Sequence, residues 1–166
     1  MINTAQGKGG SGGRVDALQD LVRNGVTLAG VRLDGAWLEG VRLKGANLTL
    51  ASLRNTILRG ASLRGANLQG ADLTGADLTG ADLRGAIFKG AEMAGATLAA
   101  AELRGADLSD LRGWESLGSV SYAQIEGVRH APPEWKEWML ARGALEGAGM
   151  EDEAGQQSFS QDWRAV

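Results

Sequence analysis

A chain of 166 residues with 43% hydrophobic content and a formal charge of −3 has the apolar content for one domain with a modest core. The near balance of charge excludes a nucleic-acid coat or a polyanion as a reading of the total. Cysteine is absent, which excludes disulfides, thiolate metal sites and cysteine nucleophiles.

The leader "MINTAQGKGGSGG", residues 1–13, is Gly-rich and has no apolar h-region, and no 18-residue apolar run occurs anywhere in the chain. It reads as a flexible leader rather than a secretory signal, on a chain with no membrane span. The expected setting is cytoplasmic, or within a virion or secretion assembly. "RVDALQDLVRNG", residues 14–25, places Val15, Leu18, Leu21 and Val22 at helical spacing and closes on Asn24 and Gly25, a helix stop. This segment is expected to be a short helix that caps the region beginning at residue 26.

From residue 26 to residue 110 the chain divides without a gap into 17 units of five, as in "GADLTGADLTGADLRGA" at 70–86. The central residue is Leu in 15 units, with Phe88 and Met93 as the exceptions. Two residues earlier stands Ala in 13 units, otherwise Val26, Val31, Val41 or Thr56. Two residues later stands Gly in 13 units, otherwise Leu50, Asn55, Ala100 or Asp110. A period of five fits neither a strand nor a helix. Within a unit, however, the small residue and the Leu lie two apart and share one side of an extended segment. For the next unit to point inward too, the chain must turn a corner, where Gly tolerates unusual dihedrals. A single coil of this kind cannot bury its own leucines and must stack on its neighbours.

The pattern resembles the pentapeptide-repeat family, whose consensus is roughly Ala, Asp or Asn, Leu and two variable residues, over about half the chain. The resemblance implies an all-β solenoid, a right-handed quadrilateral β-helix with four units per coil. Seventeen units divided by four gives 4.25 coils, so four to five coils with short capping helices at both ends are expected.

After Asp110 the register breaks at "LRGWESLGS", and 111–131 is expected to form an irregular edge coil. Within it, "SVSYAQIEGV" at 119–128 offers two further units shifted in phase, with Val120 and Ile125 inward. "PPEWKEWMLARG", 132–143, reads as a second helix with Pro133 in its first turn and Gly143 as its stop, covering the last coil with Trp135, Trp138 and Met139. Residues 144–166 are an acidic, Gly-rich tail ending "SFSQDWRAV".

With four units per coil, residues 20 apart stack. One outward column then reads Lys44, Arg64, Arg84, Arg104, a basic ladder suited to phosphates or to a partner's acids. The competing reading is a solvated face partly neutralised by Asp82 and Glu102. The stacked acids Asp72 with Glu92 and Asp82 with Glu102 need arginines to relieve them. A convex wall supplies no cleft in which to tune carboxylates for acid–base work. Trp37 stacks on Ile57 at an outward position, a contact site unless the first helix buries it. Phe159 and Trp163, four apart, share a face if their segment becomes helical against a partner groove, which makes them docking anchors.

His130 has no second His or Cys with which to hold a metal. The chain carries no phosphate loop, nucleophile elbow or zinc-helix motif, so neither catalytic residues nor a metal or cofactor site is expected. Two function classes remain. The family resemblance implies a DNA-mimicking modulator of DNA gyrase, which needs an acidic rod; residues 26–110 hold nine basic and nine acidic residues, so this rod is neutral. The excess acid lies in 111–166, where five basic residues meet nine acidic ones. The preferred expectation is a non-enzymatic structural or protein-interaction module of a bacterium or phage. It would dock to a protein partner or larger assembly, with no membrane and no direct nucleic acid, and a second copy of the chain is an admissible partner.

Overall fold

The computed structural model describes residues 13–147. In the repeat region each outward residue bridges, in parallel, to the residue 20 positions later, from Arg32 with Ser52 to Glu92 with Arg112. Four five-residue units therefore complete one turn of the chain and make a four-sided stack. The ladder is built from one bridged residue per unit. Ser52 donates its N–H to the Val31 carbonyl at 2.8 Å and accepts the Leu33 N–H at 2.8 Å, and the Arg54 carbonyl accepts the Gly35 N–H at 2.8 Å. The extended stretch is thus shorter than a conventional strand, because a corner follows every unit.

The faces take numbers in chain order. Face one carries Arg32, Ser52, Asp72, Glu92 and Arg112; face two carries Trp37, Ile57, Asp77 and Thr97. Face three carries Arg42, Ser62, Asp82, Glu102, Gln124 and Leu145, and face four Asn47, Asn67, Ile87, Asp107 and Arg129. Inside, the central Leu of every face meets its neighbours, and the small residue two positions before it leaves the space they need. Phe88 and Met93 are as fully buried as the leucines they replace. Thr56 is buried as well, and its hydroxyl donates to the Leu33 carbonyl at 3.0 Å, so the one polar substitute for Ala is satisfied.

At the corners, the repeat glycines sit in the left-handed region with φ between 60° and 68°. The four residues that replace them, Leu50, Asn55, Ala100 and Asp110, adopt the same conformation with φ of 53° to 56°. Stacking on both sides imposes the corner even where a side chain resists it.

Helix α1, Arg14–Arg23, buries Leu18 against the first coil, with Val15, Leu21 and Val22 packed around it. At the other end, the pairing interval grows from 20 residues at Glu92 with Arg112 to 22 at Glu102 with Gln124. The two extra residues are absorbed around the 3₁₀ turn Trp114–Ser116, after which stacking resumes with Val120 and Ile125 buried. Helix α2 is Trp135–Leu140, shorter than the expected 132–143. Pro133 lies in the turn before it rather than inside it, and residues 141–143 already turn toward Gly143 at φ 89°. The reason is topological: between Arg129, paired with Asp107, and Leu145, paired with Gln124, the chain must cross the end of the stack and return to face three. A six-residue helix, about 9 Å long, fits that crossing. Trp135 and Met139 are buried beneath it, Trp138 meets Trp114 edge-on at 5.8 Å, and the Arg142 guanidinium lies 3.9 Å over the Trp138 ring.

Candidate functional site

Most outward acids are occupied by the fold itself. Asp72 accepts the N–H of Thr74 at 3.0 Å and its hydroxyl at 2.6 Å; Asp77 with Thr79 and Asp107 with Ser109 repeat the arrangement. A carboxylate two residues before the corner thus ties the turn down, as short polar side chains do in turns generally. The Ser109 hydroxyl and N–H, outweighing burial and helped by His130 at 3.2 Å, hold Asp107 down to about 2. The Arg84 guanidinium likewise keeps Asp82 below the usual carboxylate range. These acids are held ionised as acceptors, which suits structure rather than proton transfer.

The basic column does not behave as one ladder. Arg84 clasps Asp82 of its own unit through Nε at 2.8 Å and a terminal nitrogen at 2.7 Å, and Arg104 holds Glu102 at 2.9 and 2.6 Å. The unit around Arg64 has Ser62 in place of the acid, and the unit around Lys44 has Arg42. Among the described residues no ion pair within 4 Å reaches Arg42, Lys44 or Arg64. Within this column the cations without an ion pair are therefore those of the N-terminal half of face three, with Asp82 of the next coil acting on Arg64 at longer range. The difference was legible in the residue two positions before each cation; the participation of Arg42 was not drawn from it.

Face two is divided the same way. Trp37, 46% exposed, stacks on the half-buried Ile57, so α1 does not cover it. Above them, Asp77 pairs with Arg59 at 2.6 Å, and on face one Arg54 reaches Asp72 at 3.6 Å. Of the stacked acids, Asp72, Asp82 and Glu102 are thus relieved by arginines, while Glu92 accepts the Ala94 N–H at 3.1 Å. Apolar surface and cations without an ion pair within 4 Å share the first coils of two adjacent faces, whereas in the later coils of face three Arg84 and Arg104 are paired.

A concavity adjoins this region. Gln19, Val22 and Arg23 of α1 and Arg42 and Lys44 of face three line a cleft of about 400 Å³. Sequence reasoning missed Gln19, Val22 and Arg23 because the way a capping helix lies on its coil leaves no periodic signal. Phe159 and Trp163 lie outside the described residues. No group of three or more potential metal ligands gathers among the described residues, and none of their helices is long and apolar enough to cross a membrane.

The sequence profile of pentapeptide repeats, eight copies long, matches residues 46–85 and 76–110. Residues 46–110 are pentapeptide repeats. Its structure is similar to that of a pentapeptide-repeat protein from the Arabidopsis thaliana thylakoid lumen, at 27% identity over 87% of this chain and 90% of that one, with a TM-score of 0.62. It is also similar to the pentapeptide-repeat protein Rfr23 of the cyanobacterium Cyanothece 51142, at 25% identity over 71% and 88% of the two chains, with a TM-score of 0.51. The sequence matches no curated protein. Pentapeptide-repeat proteins adopt a right-handed quadrilateral β-helix, and the 20-residue pairing interval found here is that of a four-sided coil. In a pentapeptide-repeat protein the interior is set by the repeat, so individuality resides in the outward columns and the two ends.

Proposed function

We propose that this protein is a non-enzymatic interaction module, a rigid rod of four to five coils capped by α1 and α2, that docks a protein partner through the N-terminal half of faces two and three. One observation carries the reading: the exposed Trp37 and half-buried Ile57 form an outward apolar stack in the same coils in which, among the described residues, no ion pair within 4 Å reaches Arg42, Lys44 or Arg64. Buried aromatic anchors beside a charged rim are the usual anatomy of a docking surface. The same reading takes Phe159 and Trp163, beyond the described residues, as a second contact.

Mimicry of DNA is the weaker alternative. It requires a negative field along the rod, whereas Asp72, Asp77 and Asp82 are each offset by an arginine within 4 Å. The experiment that separates the two readings combines a gyrase supercoiling assay with binding of the native partner to the Trp37→Ser/Ile57→Ser variant. Interaction through this patch predicts no effect on supercoiling at low micromolar protein and loss of the partner from the double variant.

A further inference from the structure

We propose that the cleft between α1 and face three is a binding site for an extended acidic segment of a protein. The proposal rests on the docking reading and names the chemistry of the partner. Three cations, Arg23, Arg42 and Lys44, surround the cleft, with Val22 and Gln19 completing its lining, and Arg64 stands one coil above Lys44. Asp20 offsets Arg23 at 2.7 Å, but among the described residues no ion pair within 4 Å reaches the other three, Arg64 acting on Asp82 of the next coil only at longer range. The cations are also held in place by the fold. The Gln19 side-chain Oε1 accepts the backbone N–H of Arg42 at 2.9 Å and lies 3.5 Å from its Nε, which fixes the helix, the coil and the base of that guanidinium together.

The extent of the charge selects the ligand. The stretch of cations without a close ion pair is two coils deep, about 10 Å at the spacing of neighbouring strands. Beyond it Asp82 and Glu102 cancel Arg84 and Arg104. Two or three carboxylates spaced along an extended peptide fill such a footprint. A duplex that relies on about six to ten phosphate contacts has no continuation to follow. A part-apolar lining favours a peptide with carbon side chains among its acids over a bare inorganic anion.

The test is fluorescence anisotropy with the full chain at low salt, using a labelled peptide with glutamate at alternating positions, its glutamine counterpart and a single-stranded oligonucleotide of equal length. The expected result is that the glutamate peptide binds about tenfold or more tightly than the glutamine peptide and more tightly than the oligonucleotide. The Lys44→Glu/Arg64→Glu variant should lose that binding by about tenfold, and Lys44→Gln/Arg64→Gln, which introduces no repulsion, should lose most of it. Lys89→Glu, which removes an exposed cation at the corner after face four, should stay within about twofold. Equal binding of the two peptides overturns the proposal, as does tighter binding of the oligonucleotide, or an effect of Lys89→Glu as large as that of the cleft variants. If the peptide fails while Trp37→Ser/Ile57→Ser still abolishes partner binding, the docking reading stands and only the acidic ligand is wrong.

Discussion

The side chain of Gln19 takes the place of a coil that the chain does not have: its carbonyl oxygen accepts the backbone N–H of Arg42 at 2.9 Å. Within the stack, an N–H at this position bonds the carbonyl 21 residues earlier, as Ser62 does with Val41 at 2.8 Å. For Arg42 that residue is Leu21, whose carbonyl instead accepts the N–H of Val26 where α1 ends. Gln19 is buried, so its removal strands a donor at the edge of the ladder.

Gln19→Leu should therefore destabilise the protein by about 1–3 kcal/mol. Chemical denaturation measures the loss, and hydrogen exchange at the Arg42 amide should rise in the same variant. An unchanged midpoint and unchanged exchange would show that α1 is held by apolar packing alone.

The corner positions predict an asymmetry between two single substitutions. Ala100 is exposed and held at φ 54°, so Ala100→Gly relieves a left-handed conformation that costs a residue with a Cβ about 1–2 kcal/mol; the entropy that glycine loses offsets part of the gain. Gly80 has φ 65° and open space around a would-be Cβ, so Gly80→Ala imposes that same cost without a clash. Thermal melting should move up for Ala100→Gly and down for Gly80→Ala. Movement in the same direction for both would contradict the account of the corners.

The interior was readable from the sequence because its signal is strictly periodic: small residue, Leu, corner, with Phe88 and Met93 buried where the period places them. The inward positions of Val120 and Ile125 past the register break were readable for the same reason. What was not legible is how the periodicity ends. Helix α2 gives way after Leu140 to a turn that Gly143 closes: at φ 89° its N–H donates to the Leu140 carbonyl while the Ala144 N–H donates to that of Met139, so the glycine stop was legible and the return of the chain to Leu145 on face three was not. Similarly, the column from Lys44 to Arg104 reads as uniform when only every twentieth residue is followed. In this column the ion pairs within 4 Å follow the residue two positions before each cation, Arg42, Ser62, Asp82 or Glu102, whereas Arg54 and Arg59 on the other faces reach an acid of the next coil and Arg64 acts on Asp82 from a distance.

Asp107 predicts how the rod responds to acid. The Ser109 hydroxyl first, with its N–H and His130 adding to it against burial, lowers the folded-state value from 3.8 to about 2. A depressed carboxylate contributes stability that is complete above 3.8 and is lost as the pH falls toward about 2. Asp34, Asp77 and Asp82 shift in the same direction, so they leave a residual slope. Asp107→Asn keeps an oxygen to accept from Ser109 but cannot titrate. Its denaturation midpoint should fall less steeply than that of the unaltered protein between pH 3.8 and about 2, and equal slopes would remove Asp107 from the account.

Docking through the first coils of faces two and three is most directly tested by quantitative co-precipitation of the native partner with two variants matched in chemistry but not in place. Trp37→Ser/Ile57→Ser removes the exposed stack on face two, whereas Ile87→Ser removes an exposed apolar side chain, 36% accessible, from face four. With the melting temperatures of both variants shown to match the unaltered protein, the account predicts that the partner is lost from the first and retained by the second. Retention of the partner by Trp37→Ser/Ile57→Ser, or equal loss from both variants, would contradict it.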